Sequence, residues 1–376
     1  SILWSHMMNQ LGVTIHFAHR SFKWRNEARG NAAVYCVIIG FANFDVDKKT
    51  IFDYEDIKGE AHEVEAKNIN SYLVDAQNIF VESRSNPICK VPEIKIGNKP
   101  IDGGFYLFTT EEKNDFLKIE PKAEKWFRRW LGSHEFINGY ERWCLLLRDC
   151  PPAELRSMPE AMKRIEAVKQ VRLSSKSAPT QKLAEAPTRF HVENMPNSNY
   201  LILPETSSEN RTYIPIGFET PETLSSNLVK VIADATLYHF GVLTSMMHMA
   251  WVKTTCGRLK SDYRYSKDIV YNNYPWPQNP TDKHRAAIEA AAQAVLDARA
   301  AHPDASLADL YDPLTMPANP RQAHNARDTA VDAAYAFKGN TDTERMALLF
   351  AQYQQLISDL ATTTPAPKTK KSRSQK

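Results

Sequence analysis

Val13–Phe22 (VTIHFAHRSF) carries β-branched and aromatic residues at alternate positions, the period-two signal of a β-strand. The polar stretch KWRNEARGN follows, ends in glycine and reads as a hairpin loop. Ala32–Ala42 (AAVYCVIIGFA) is then apolar without a break, as expected of a strand buried on both faces of a sheet. KKTIFDYE suggests one more short strand after a turn. Residues 1–65 are therefore expected to be the edge of an α/β domain whose remainder lies outside this chain.

From residue 66 to 278 the pattern is mixed: short strands separated by Pro, Gly and Asn, with one clear helix. That helix is expected over SMPEAMKRIEAVKQVRLSSKS, with Met162, Ile165 and Val168 on its apolar side and Lys169, Arg172 and Lys176 as a basic stripe. Pro151 and Pro152 fit the first turn of a helix through AELRSM. SNYLILPE and TYIPIGF read as strands. LYHFGVLTSMMHMAWVKTTCG has helical spacing and is expected to be capped at Gly257. The region after Pro277 changes character. It holds an alanine-rich helix closed by Pro303, a second closed by Gly339, and a third opened by a Thr341/Glu344 capping box with Met346, Leu349, Phe350, Tyr353 and Leu356 at core spacing. Residues 279–360 thus form a helical region, and 361–376 a disordered basic tail.

Composition narrows the class. Of 376 residues, 43% are hydrophobic and 24% charged, which is globular, and a net charge of +3 does not by itself point to nucleic acid. Five scattered cysteines with no CxxC pair read as reduced thiols in a cytoplasmic setting. No apolar run approaches the roughly 18–20 residues of a membrane span, so no membrane partner is expected. A glycine-rich phosphate loop, a G-x-S-x-G elbow and an H-E-x-x-H pair are all absent. His239 and His248 lie in apolar helical sequence and read as core histidines rather than metal ligands. No self-contained catalytic or metal site is expected.

Seven stretches in order carry a resemblance: IHFAHRSFKWRNEARGNAAVYCVIIGF, INSYLVDAQNIFVESRS, WLGSHEFINGYERWCLLL, SSENRTYIPIGF, DATLYHFGVLTSMMHMAWV, CGRLKSDYRYS and VYNNYPWP. Together they resemble the carboxyl-terminal portion of MmeI-like (type IIL) restriction–modification proteins and their adenine-N6 DNA methyltransferase relatives. The resemblance implies an α+β, multidomain chain. Its parts would be the edge strands of a Rossmann-like methyltransferase sheet (1–65), a mixed α/β DNA target-recognition domain (66–278) and the helical region. The family binds S-adenosylmethionine through a glycine-containing motif and positions adenine with Asn/Asp-Pro-Pro-Tyr/Phe. Neither motif occurs in this sequence, whose one Pro-Pro lies between Cys150 and Ala153. The chain is therefore expected to bind no cofactor and to methylate nothing alone. Its implied partners are double-stranded DNA and either an N-terminal methyltransferase region or, if it is a free-standing specificity module, a separate catalytic chain.

The resemblance also implies site residues. The positions of Lys260 and Asp262 form, in the family, a pair that reads one base pair. The chemistry agrees: lysine donates to guanine O6 and N7, and aspartate accepts from the cytosine N4 amino group. On a strand, residues i and i+2 point the same way, which is expected to place the two side by side; the plain alternative is an exposed ion pair contributing roughly 0–1 kcal/mol. Arg258 and Arg264 flank the pair as phosphate or base contacts or as solvated charges. Arg211 makes a DNA contact or belongs to a turn, and Lys169, Arg172 and Lys176 would follow phosphates. Tyr263 and Tyr265 are expected to pack beneath the strand. Phe22 or Trp24, not distinguishable in sequence, would stack on a flipped adenine.

Overall fold

The computed structural model describes residues 2–24, 34–54 and 59–363. Most of the expected hairpin loop after Trp24, and the basic tail beyond Thr363, lie outside them. The chain divides into two compact units, residues 1–89 with 272–278 and 339–376, and residues 90–271 with 279–338.

In the first unit, helix α1 (Ile2–Gln10) precedes strands β1 (Thr14–Trp24), β2 (Val34–Ala42), β3 (Lys49–Asp53) and β4 (His62–Ala66). They form a sheet in the order β2-β1-β3-β4, with β1 antiparallel to β2 and parallel to β3. Met8, Ile15, Ala18, Ile51, Ala66, Ile69 and Leu73 fill its core. The apolar run does form β2, but as an edge strand rather than one covered on both faces: Tyr35, Val37, Ile38 and Phe41 are all exposed. A continuous apolar run specifies a strand and leaves its place in the sheet open.

The second unit opens with β5 (Ile94–Ile96), β6 (Leu107–Phe108), α2 (Thr110–Ile119), β7 (Phe127–Leu131), α3 (Ser133–Asn138) and β8 (Trp143–Leu145). Helices α4 (Pro152–Leu155), α5 (Pro159–Leu173) and α6 (Ala178–Lys182) follow, Pro152 opening α4 as expected. Next come β9 (Tyr200–Pro204), β10 (Thr206–Ser207), β11 (Gly217–Glu219), β12 (Thr223–Ser225) and β13 (Val229–Ala233). Then α7 (Leu237–Leu243) and α8 (Met246–Thr255) precede β14 (Gly257–Leu259) and β15 (Asp262–Arg264). Three small sheets result, ordered β11-β9-β13-β5, β12-β7-β8-β6 and β10-β15-β14.

The single helix expected before Gly257 is two. Thr244 and Ser245 interrupt it, and the Ser245 hydroxyl accepts from the His248 N–H to start α8 afresh. Gly257 is no cap; α8 ends at Cys256 in extended backbone and Gly257 begins β14. Beyond, α9 (Asp282–Ala300), α10 (Leu307–Leu310) and α11 (Ala318–Ala334) supply the helical region of this unit. Gly241 lets α7 approach α9, since a Cβ there would lie 2.6 Å from Ile288 Cγ2. The last helix, α12 (Asp342–Thr363), belongs to the first unit. It starts with the expected capping box: Thr341 Oγ1 accepts from Glu344 N, and the Glu344 carboxylate accepts from Thr341 N. Among the described residues no helix is long and apolar enough to cross a membrane.

Candidate nucleic-acid interface

Lys260 and Asp262 sit at the tip of the β14–β15 hairpin. Leu259 pairs with Asp262, leaving Lys260–Ser261 as a two-residue loop. Lys260 therefore occupies the turn and not a strand, at φ 56°, with Ser261 outside the left-handed region. Glycine is the usual residue where a two-residue hairpin loop needs positive φ at its first position. A lysine there carries backbone strain on the order of 1–2 kcal/mol. The expected i, i+2 alignment on one strand face does not exist. The hairpin register instead puts Leu259, Asp262 and Arg264 on one face and Arg258 with Tyr263 on the other, with Lys260 at the apex. Lys260 is exposed and Asp262 half-buried, and no ion pair joins them among the described residues.

The flanking charges are already engaged. Arg258 lies 4.0 Å above the Tyr263 ring and donates to Ser261 O at 2.9 Å, clamping its own turn. Arg264 pairs with Glu205 at 3.2 Å, and Glu205 with nearly buried Lys230 at 2.6 Å. Burial alone would raise the Glu205 carboxyl, but Lys230 and then Arg264 outweigh it and hold it below the ordinary carboxylate range. Glu205 and Lys230 were not foreseen. Glu205 lies between β9 and β10, and Lys230 is the second residue of the otherwise apolar β13. Arg211 is half-buried; burial lowers its guanidinium, opposed by the charges of Asp262 and Asp312. It therefore neighbours Asp262, though 51 positions away in the sequence.

Under the hairpin, Tyr263 and Tyr265 are buried as expected, and the Tyr265 hydroxyl meets His248 Nε2 at 3.0 Å. His248 is a core histidine: its Nδ1 bonds Leu243 O at 2.7 Å, and burial pushes its pKa down to about 3. His239 helps cap α7 through Thr236. Among the described residues no His/Cys/Asp/Glu group has the makings of a metal site.

Arg172 requires a correction. It is completely buried, donating to the carbonyls of Ile101, Leu183, Ala186, Pro100 and Arg189 at 2.8–3.2 Å. It lies on the inner seam of α5 with Ala161, Ile165 and Val168, while Met162 faces out. It cannot touch phosphate, and the expected stripe reduces to half-exposed Lys169 and exposed Lys176, which lies past the helix end.

In the first unit, Phe22 and Trp24 are now distinguished. Phe22 is half-buried and stacks on Tyr54, with ring centroids 5.2 Å apart and planes at 18°. Tyr54 in turn bonds His19 Nδ1 at 2.9 Å, and His19 stacks on Phe52 at 4.1 Å. Trp24 is 52% exposed and only edges Phe22. The described strands of this unit do not fit a cofactor site: none of β1–β4 runs through a glycine turn into a helix, the usual nucleotide cradle.

Residues 75–278 match the family described as MmeI, target recognition domain. The chain belongs to the MmeI family. Residues 280–361 match the MmeI C-terminal domain, and residues 1–53 the MmeI DNA-methyltransferase domain. A solved structure of the type IIL restriction-modification enzyme MmeI in complex with DNA is 49% identical, with a TM-score of 0.87, over 95% of this chain and 48% of that one. DNA methyltransferase A of Bacillus subtilis (strain 168) is 40% identical over 357 residues, which is 95% of this chain and 40% of the relative. The chain thus spans less than half the length of either. The β14–β15 hairpin falls within the region matched to the MmeI target recognition domain.

Proposed function

We propose that this chain supplies DNA sequence recognition to a site-specific adenine-N6 methyltransferase of restriction–modification type, and that the Lys260/Asp262 hairpin tip reads one base pair. The observation that carries the reading is the tip itself: an exposed ammonium at a strained turn position, and a carboxylate two residues on, unpaired with each other. Unpaired, the ammonium is available to guanine O6 and N7 and the carboxylate to cytosine N4. Arg211, Arg264, Lys169 and Lys176 would supply phosphate or neighbouring base contacts, and Arg258 mainly holds the turn. Trp24 is the better candidate for stacking on the flipped adenine, because its ring is the more open of the two. The full enzyme would use S-adenosylmethionine as methyl donor, bound by residues outside those described here. The partner is double-stranded DNA, together with a methyltransferase region that completes the sheet or a separate catalytic chain.

The test is selection of duplexes from a random pool by the 376-residue chain, with binding measured across salt. A steep salt dependence and one G·C position lost in Asp262→Ala are expected, at roughly 1–3 kcal/mol of discrimination. Binding with no base preference would refute base reading.

A further inference from the structure

Asp262 is supported from behind. Strand β10 pairs with β15, placing Thr206 opposite Arg264 and Ser207 opposite Tyr263. The chain then turns through Ser208–Arg211, closed by Arg211 N–H on Ser208 O at 3.2 Å and tightened by Asn210 N–H on Ser208 Oγ at 3.3 Å. The far side is anchored by Tyr213, whose buried hydroxyl donates to Asp328 Oδ2 at 2.6 Å. Asp328 Oδ1 accepts from Met246 N at 2.8 Å and from Arg327 at 2.7 Å, and the Tyr213 ring stacks on His324 at 4.3 Å. A short turn is therefore held by a strand at one end and by α11 and α8 at the other. At its second position, the Glu209 main-chain N–H donates to Asp262 Oδ1 at 3.3 Å.

We propose that the Ser208–Arg211 turn is a positioning element for base recognition: Glu209 N–H holds one oxygen of the Asp262 carboxylate and leaves the other to accept from the base. The proposal rests on the assignment of Lys260 and Asp262 as readers, and adds the Glu209 N–H, a group that itself touches no DNA. A carboxylate rotates about two side-chain bonds. A donor fixed by the backbone removes that freedom before binding, so the acceptor is in place without further ordering. The turn in its turn depends on a carboxylate of α11, which makes the helical region of this unit part of the specificity apparatus.

Two substitutions at Glu209 in the whole chain separate this role from ordinary packing. Glu209 is the second residue of a β-turn and has no positive φ, the position where proline is favoured. Glu209→Pro deletes the N–H and keeps the turn, whereas Glu209→Ala keeps the N–H and removes only the side chain. Base preference is read by sequencing duplexes retained from a random pool. Glu209→Ala is expected to match wild type, while Glu209→Pro loses about tenfold in discrimination at the single position read by Asp262. In an Asp262→Ala background Glu209→Pro should change nothing further. The proposal is overturned if proline and alanine behave alike, if proline relaxes every position equally, or if its effect persists without Asp262. Should the proline variant unfold, Tyr213→Phe releases the far anchor while keeping the ring; an unchanged preference there also overturns it. If Asp262→Ala leaves the preference intact, the reader assignment itself falls together with the turn's part in it.

Discussion

Replacing Arg172 by methionine keeps much of the side chain's length and removes every donor it carries. Five main-chain carbonyls, from residues 100, 101, 183, 186 and 189, lose their partner at once. A hydrogen bond to a charged group contributes about 1.5–3 kcal/mol, but the five are not additive, because they share one guanidinium and some carbonyls gain water when it leaves. A buried carbonyl left without a partner costs about 1–3 kcal/mol, and with that sharing a total of about 3–5 kcal/mol is expected here. In a unit of this size each kcal/mol lowers the melting temperature by about 2–4 °C, so a fall of roughly 6–20 °C should appear in thermal unfolding followed by circular dichroism. DNA affinity of the folded fraction should keep its salt slope. A variant that melts with wild type while its salt slope drops by about 1, the signature of a lost phosphate contact, would refute the structural role.

His248 gives a pH signature. Its folded pKa of about 3 lies below the value near 6.5 of an unfolded histidine, so the unfolded chain takes up a proton that the folded one refuses. Its contribution is intact above pH 6.5 and is lost as pH falls from there toward 3, at up to about 1.4 kcal/mol per unit; burial gives His324 the same sign. His248→Gln should flatten the stability profile between pH 6.5 and 4 in urea titrations, and an unchanged slope would count against it. With the chain joined to a complete methyltransferase domain, Trp24→Ala should cut adenine methylation by roughly 5- to 150-fold at little cost in melting temperature. Phe22→Ala should instead lower the melting temperature, since its ring supports Tyr54. Equal effects on both readouts would remove the distinction.

Local signals in the sequence were reliable. The Pro152 helix start and the Thr341/Glu344 cap each depend on a few neighbouring residues, and each is present. The strand β1 is present too, but its alternation holds only as far as His16, because a register shift between Ile15 and Phe17 leaves Phe17 exposed and Ala18 buried. The buried histidine His248 was legible from its apolar surroundings. What failed depends on partners distant in the chain. Arg172 was read by its charge, although its spacing with Ala161, Ile165 and Val168 marked the inner seam. The β2 run signalled a strand without its edge position. The hairpin tip was hidden because its two-residue loop carries lysine where glycine is usual, and Lys260 and Asp262 were accordingly placed on one strand. The couplings Glu205–Lys230 and Tyr213–Asp328 join residues 25 and 115 positions apart, and no periodicity reports those.

The most direct test of base reading exchanges the two charges. With this chain joined to a complete methyltransferase, Lys260→Glu combined with Asp262→Arg should yield an enzyme whose methylated motif, read by long-read sequencing of treated DNA, differs at one position. Guanine on the strand bearing the methylated adenine should become cytosine there and every other position stay as it was. An active enzyme with an unaltered motif would contradict the account.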